Sequence, residues 1–129
     1  MDFSHVKTVN LDEYAGLNGD NDQSYRYFMN HNLFDHININ KENTSVPCGT
    51  AEDLQAECER YEQLVEQTGG VDIQLLGIGN NGHIAFNEPF SSLQSRTRIK
   101  TLTQDTIQVN SRFFGGDVNL VPKTALTVA

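Results

Sequence analysis

The sequence predicts an α/β domain of three layers, with helices packed on a mainly parallel sheet. Two observations carry this expectation. Segments of helical periodicity alternate along the chain with short apolar, β-branched segments, the pattern of helices laid on parallel strands. One apolar run, Val71 to Leu76, breaks into Gly77-Ile78-Gly79-Asn80-Asn81-Gly82-His83, a loop of the kind that carries ligand-binding groups past a strand's carboxyl end. The chain has 129 residues, room for one domain with a modest core. It shows no internal repeat, low-complexity segment or linker, so residues 1–129 are read as a single domain.

The elements follow in order. Val6 to Leu11 reads as a short strand, which places Asp12 and Glu13 just past its end, before a Gly/Asn/Asp-rich loop from Gly16 to Asp22. From Gln23 to His36 the residues Tyr25, Phe28, Met29 and Leu33 recur at helical spacing, with Asp22 available as N-cap. A second helix is expected from Ala51 to Gln67. Thr50 and Asp53 have capping-box spacing, Leu54, Cys58, Tyr61 and Leu64 or Val65 form the apolar stripe, and Gly69-Gly70 closes the helix. The near-continuous apolar character of Val71 to Leu76 suggests an interior parallel strand. After the glycine-rich loop come Arg96, Arg98 and Lys100, a basic cluster in an acidic chain, then a helix over Gln104 to Phe114 and a last strand over Ala125 to Val128.

Composition removes several function classes. A net charge of -8 with an isoelectric point near 4.7 disfavours nucleic acid and anionic membrane as partners, because both repel an acidic surface. No run approaches the ~18 apolar residues of a membrane span, and the amino terminus lacks a basic-then-apolar signal, so a cytoplasmic protein is expected. Cys48 and Cys58 are too few for a disulfide framework and are expected to be reduced.

Gly77, Gly79 and Gly82 match G-x-G-x-x-G, but the context opposes a dinucleotide site. The third glycine should open a long helix, yet Pro89 stands seven residues on, and a mid-helix proline costs roughly 3 kcal/mol. No acidic residue lies at the spacing that takes a ribose hydroxyl, Asp105 being the nearest. A metal is not expected either, since His83 and Glu88 are five apart with no other ligands clustered beside them. What remains is a loop with three glycines, Asn81, His83, Asn87 and Glu88. Such loops bring backbone close to a ligand.

Several motifs then occur in one order: Asn10-Leu11-Asp12-Glu13-Tyr14, Gly77 through Pro89, Ser91-Ser92-Leu93, Ser95-Arg96-Thr97-Arg98, Asn110-Ser111-Arg112-Phe113-Phe114, Val121-Pro122-Lys123 and Ala125-Leu126-Thr127-Val128. Together they closely resemble the glucosamine-6-phosphate deaminase family. The resemblance covers essentially the whole chain and implies a Rossmann-like domain, here incomplete. Family members run to roughly twice this length, so the chain is expected to be a central fragment or truncated reading frame. It would lack an amino-terminal phosphate loop and a carboxyl-terminal lysine.

The resemblance implies conversion of glucosamine 6-phosphate to fructose 6-phosphate and ammonia in amino sugar catabolism, a hydrolase-type deamination joined to aldose-ketose isomerisation. No metal and no cofactor is implied. Asp12 would be the base that abstracts the C2 proton, His83 would take the ring hydroxyl proton during ring opening, and Glu88 would orient His83. Asn81 holds a relay position that is aspartate in many members; it cannot ionise and can act only through hydrogen bonds. Arg112 would bind the substrate phosphate through its guanidinium fork. Ser91, Ser92, Arg98 and Lys100 match a region that in some bacterial members forms an allosteric sugar-phosphate site between subunits. The expected partner is a small sugar phosphate, with a homo-oligomer implied for full-length members. Two alternatives stand beside this: a catalytically inactive remnant, and a 6-phosphogluconolactonase-like hydrolase, which shares the fold and a Gly-His motif. Phe86-Asn87-Glu88-Pro89 and the Ser-Arg-Thr-Arg stretch favour the deaminase.

Overall fold

The computed structural model describes residues 1–129. Its elements run β1 (Thr8–Val9), β2 (Asp12–Tyr14), α1 (Tyr25–Asn32), β3 (Thr44–Ser45), α2 (Leu54–Gln67), β4 (Arg98–Thr101), α3 (Gln104–Asn110) and β5 (Thr124–Thr127), with single 3₁₀ turns at Phe34–His36, Lys41–Asn43 and Ser111–Phe114. The fold is α/β, as expected. β1 and β3 pair in parallel, while β5 lies between β2 and β4 and is antiparallel to both. This second, antiparallel sheet was not expected. Alternation of helices with strands predicts parallel pairing, but three-residue β2 and four-residue β4 carry too little sequence to reveal it.

β2 is the first correction. Asp12 and Glu13 do not trail a strand but form one, in register with Thr127 and Leu126 of β5. Successive strand side chains point to opposite faces, so the two carboxylates are separated. Glu13 is buried and accepts the backbone N–H groups of Tyr14, Tyr25 and Arg26 at 2.9, 3.0 and 3.1 Å. It thereby satisfies the first free donors of α1 from another element. With Ser24 as N-cap, its Oγ accepting from Tyr27 at 3.0 Å, α1 starts later than the expected Asp22 cap allows. The α1 stripe is also shallower than its periodicity suggests: no α1 residue is fully buried, and Phe28 is 55% exposed.

α2 begins at Asp53, whose carboxylate accepts from Ala56 N, rather than at Thr50. Cys58 and Tyr61 of its expected stripe are fully buried, and both cysteines are free. The Tyr61 hydroxyl donates toward the carbonyls of Asn10 (2.6 Å) and Ser45 (3.1 Å), tying α2 across the β1–β3 pair. The core at the other sheet consists of Tyr14, Phe86, Leu102, Ile107, Val121 and Ala125. Tyr14 stacks on Tyr25 with centroids 5.4 Å apart and meets Phe86 at 5.2 Å.

The largest departure is Val71–Leu76. The segment belongs to no strand, and Ile73 and Leu75 are 90% and 96% exposed. An apolar β-type sequence becomes a strand only with a hydrogen-bonded neighbour, and none of the five strands flanks this one.

Candidate functional site

The glycine-rich loop is shaped by close approach. Gly79 N–H donates to the His83 carbonyl (2.8 Å) and Gly82 N–H to the Gly79 carbonyl (2.9 Å), so the chain doubles back on itself. The His83 ring then lies on Gly79: a Cβ there would sit 2.3 Å from Cε1 and 2.6 Å from Nε2. Only glycine fits beneath this imidazole. Gly82, at φ +85°, makes the turn.

Asn81 determines how the imidazole is held. Its Nδ2 donates to Glu88 Oε2 at 3.3 Å, which turns its Oδ1 toward His83, where it lies 2.5 Å from Nδ1. An amide oxygen can only accept. Nδ1 therefore carries the proton, and the neutral ring keeps its lone pair on Nε2. Glu88 Oε2 is also 3.7 Å from Nδ1. Burial raises the Glu88 carboxyl, but donors from Thr106, Thr103 and Asn81 outweigh it and hold Glu88 below the usual range. Glu88 is thus a buried anion that fixes Asn81 from beneath.

These groups border a cavity of about 400 Å³ whose lining includes Asn81, His83, Glu88, Ser91 and Ser92, a volume suited to a small ligand. Ser91 Oγ is buried and makes no hydrogen bond. Two residues of the loop, Ala85 (φ +54°) and Phe90 (φ +70°), hold left-handed backbone without being glycine, a strain of the kind that concentrates at binding loops.

Asp12 does not line this cavity, although its neighbour Leu11 does. It stands beside the same loop, near the Phe86 N–H, which donates to Thr127 Oγ1 at 3.3 Å. Burial, and then the charge of Glu13, push the Asp12 carboxyl up to about 7 against the pull of that nearby N–H. A carboxylate poised there is half ionised at neutral pH and basic enough to take a proton from carbon. Arg98, on β4, donates to Asn87 Oδ1 at 2.9 Å, while its Nη2 is buried without a partner. Lys100 is partly buried on the same strand. Arg112 lies apart from the cavity, exposed on the turn after α3 with its guanidinium 4.6 Å from the Phe113 ring. So the structure assembles Asn81, His83, Glu88, Ser91 and Ser92, sets Arg98 one hydrogen bond away from their loop and Asp12 beside it, and leaves Arg112 and Lys100 outside. Sequence reasoning missed the roles of Asn87, Thr103 and Thr106, which depend on β4 and α3 returning to the loop.

The chain resembles known proteins along its length. The family described as glucosamine-6-phosphate isomerases/6-phosphogluconolactonase matches residues 1–106. Glucosamine-6-phosphate deaminases of Phocaeicola vulgatus and Thermoanaerobacter sp. (strain X514) are 60% and 56% identical over 128 residues, covering 99% of this chain and 49% and 50% of theirs. A solved monomeric glucosamine-6-phosphate deaminase superposes with a TM-score of 0.96 at 52% identity, over 99% of this chain and 53% of that one. The 6-phosphogluconolactonase of Thermotoga maritima, at 19% identity and a TM-score of 0.71 over 100% of this chain and 53% of its own, shares the fold alone. The chain spans about half the length of the curated relatives it matches. The motifs, the backbone path and the matched residues agree: the chain belongs to the family of glucosamine-6-phosphate isomerases and 6-phosphogluconolactonases.

Proposed function

We propose that these residues form the ring-opening and isomerising part of a glucosamine-6-phosphate deaminase site, which converts glucosamine 6-phosphate to fructose 6-phosphate and ammonia. One observation carries the proposal: on β2, beside the glycine-rich loop, Asp12 has a carboxyl raised to about 7, and that loop holds an imidazole whose free nitrogen is fixed by Asn81 and Glu88. The reaction needs two separate proton carriers. His83 Nε2 takes the ring hydroxyl proton as the sugar opens. Asp12 removes the C2 proton next to the C1 aldehyde so formed and delivers it to C1, and water hydrolyses the resulting C2 imine to the ketone of fructose 6-phosphate and ammonia. Asn81 supports this without charge, because Glu88 supplies the anion and Asn81 passes on only orientation. Arg112 is assigned to the substrate phosphate. Ser91, Ser92, Arg98 and Lys100 are assigned to a regulatory sugar-phosphate site; the unpartnered Arg98 Nη2 and Ser91 Oγ suit an anion with acceptor oxygens. No helix is long and apolar enough to cross a membrane, in keeping with a soluble, cytoplasmic catalyst. The solved deaminase is monomeric, which leaves the expected homo-oligomer without support. We infer that the 129 residues alone turn over little, since Arg112 stands outside the cavity and the Val71–Leu76 segment is uncovered.

The test is a chimera in which this chain replaces the matched half of the Phocaeicola vulgatus deaminase. Release of ammonia and fructose 6-phosphate at rates on the order of 1–10 per second is expected. A folded chimera without turnover contradicts the assignment and favours an inactive remnant.

A further inference from the structure

Asn87, at the cavity's edge, has its carboxamide satisfied three ways by the fold itself. Its Nδ2 donates to the Val128 carbonyl at 2.8 Å and to the Ile84 carbonyl at 3.2 Å, and its Oδ1 accepts from Arg98 Nη1 at 2.9 Å. Its backbone N–H closes the Ile84–Asn87 turn at 3.1 Å, the turn that contains left-handed Ala85. A left-handed first central position favours glycine, so alanine there is held by its surroundings rather than by preference. On either side of Asn87 stand Phe86, whose N–H donates to Thr127 Oγ1 beside Asp12, and Glu88, which fixes Asn81. One side chain thus joins the strained turn to the end of β5 and to β4.

We propose that Asn87 is a positioning residue, a latch that holds the 79–88 loop on the sheet so that Asn81 can keep His83 in one tautomer. The proposal rests on the functional reading above for the importance of His83, but the latch itself is a property of the fold. Without the two Nδ2 bonds, the Ala85 turn is free to relax toward right-handed backbone. Glu88 and Phe86 then shift together, and Asn81 loses its fixed orientation.

Asn87→Asp tests this in the 129-residue chain, because the carboxylate keeps an oxygen for Arg98 and loses both donations. Expected are hydrogen exchange at the Gly79 and Gly82 amides faster by about thirtyfold, the loss of two hydrogen bonds, and a His83 ¹⁵N spectrum that changes from a single Nδ1-protonated form to mixed tautomers. Exchange at Cys58 and Tyr61 in α2 should not change. Equal acceleration in α2, or an unchanged His83 spectrum, overturns the proposal. Arg98→Met removes only the Oδ1 partner and should keep His83 in one tautomer; scrambling as large as in Asn87→Asp would move the latch to Arg98 and refute the role of Asn87. If Asn87→Asp does not fold, the unmutated chain decides: slowly exchanging Asn87 carboxamide protons support the latch, and a mobile carboxamide overturns it. These readouts do not involve turnover, so loss of the deaminase reading and loss of the latch are distinguishable.

Discussion

Two adjacent carboxylates on β2 are both raised by burial but hold different partners. Glu13 is occupied by three backbone donors, whereas Asp12 has the Phe86 N–H only nearby, itself bonded to Thr127, and is raised to about 7. In the proposed function the base is Asp12, and Glu13 could not replace it without uncapping α1. Because the folded protein binds the Asp12 proton more tightly than the unfolded chain, Asp12 costs stability as pH rises from about 3.8 toward about 7. Asp12→Asn should accordingly unfold at a higher temperature than the unmutated chain at pH 8, and the difference should vanish near pH 4; thermal melts across pH measure this. Glu88 has the reverse sign. Its lowered carboxyl stabilises the fold above its usual value of 4.5, and this stability is lost as pH falls through its folded range. Glu88→Gln sets an amide donor against Thr103 N–H or Asn81 Nδ2. It should cost about 1–3 kcal/mol at pH 7 by denaturant titration.

At the level of elements, legibility followed local information. α2 was readable because its cap and stripe lie within its own sequence, with its first turn misplaced; α3 starts where expected but ends at Asn110, the expected last turn to Phe114 being 3₁₀. The start of α1 was not, because part of its cap is Glu13, reached across the fold rather than along the chain. β4 was seen only as a basic cluster, since Arg98 and Lys100 sit on a strand whose pairing depends on distant β5. The Val71–Leu76 segment had strand composition but no neighbour. Asn81, His83 and Glu88 were legible as a site because one loop carries them all, while their division of labour needed atomic positions. The loop's own geometry makes a sharp prediction. Gly79→Ala must displace the flexible end of His83 rather than backbone, so the melting temperature should change little. Turnover of the chimera should fall by about 10²-fold, the cost of an ångström-scale misplacement.

Across the whole molecule, the exposed apolar side chains Ile73, Leu75, Leu76 and Ile78 form a β-prone run, and such unpaired runs favour self-association. The 129-residue chain should aggregate with rising concentration in light scattering, and Leu75→Lys should reduce this without altering His83. Activity and this surface are separate matters. The central claim is that Asp12 is the base at C2 and His83 acts earlier, in ring opening. The direct measurement is deuterium uptake at C2 of the sugar phosphate in D₂O, followed by NMR in the chimera and in its Asp12→Asn form. The account predicts uptake in the first, with a rate falling about tenfold per pH unit below about 7. It predicts a loss of roughly 10²- to 10⁴-fold in the second with sugar binding retained. Near-normal C2 exchange in Asp12→Asn would contradict it.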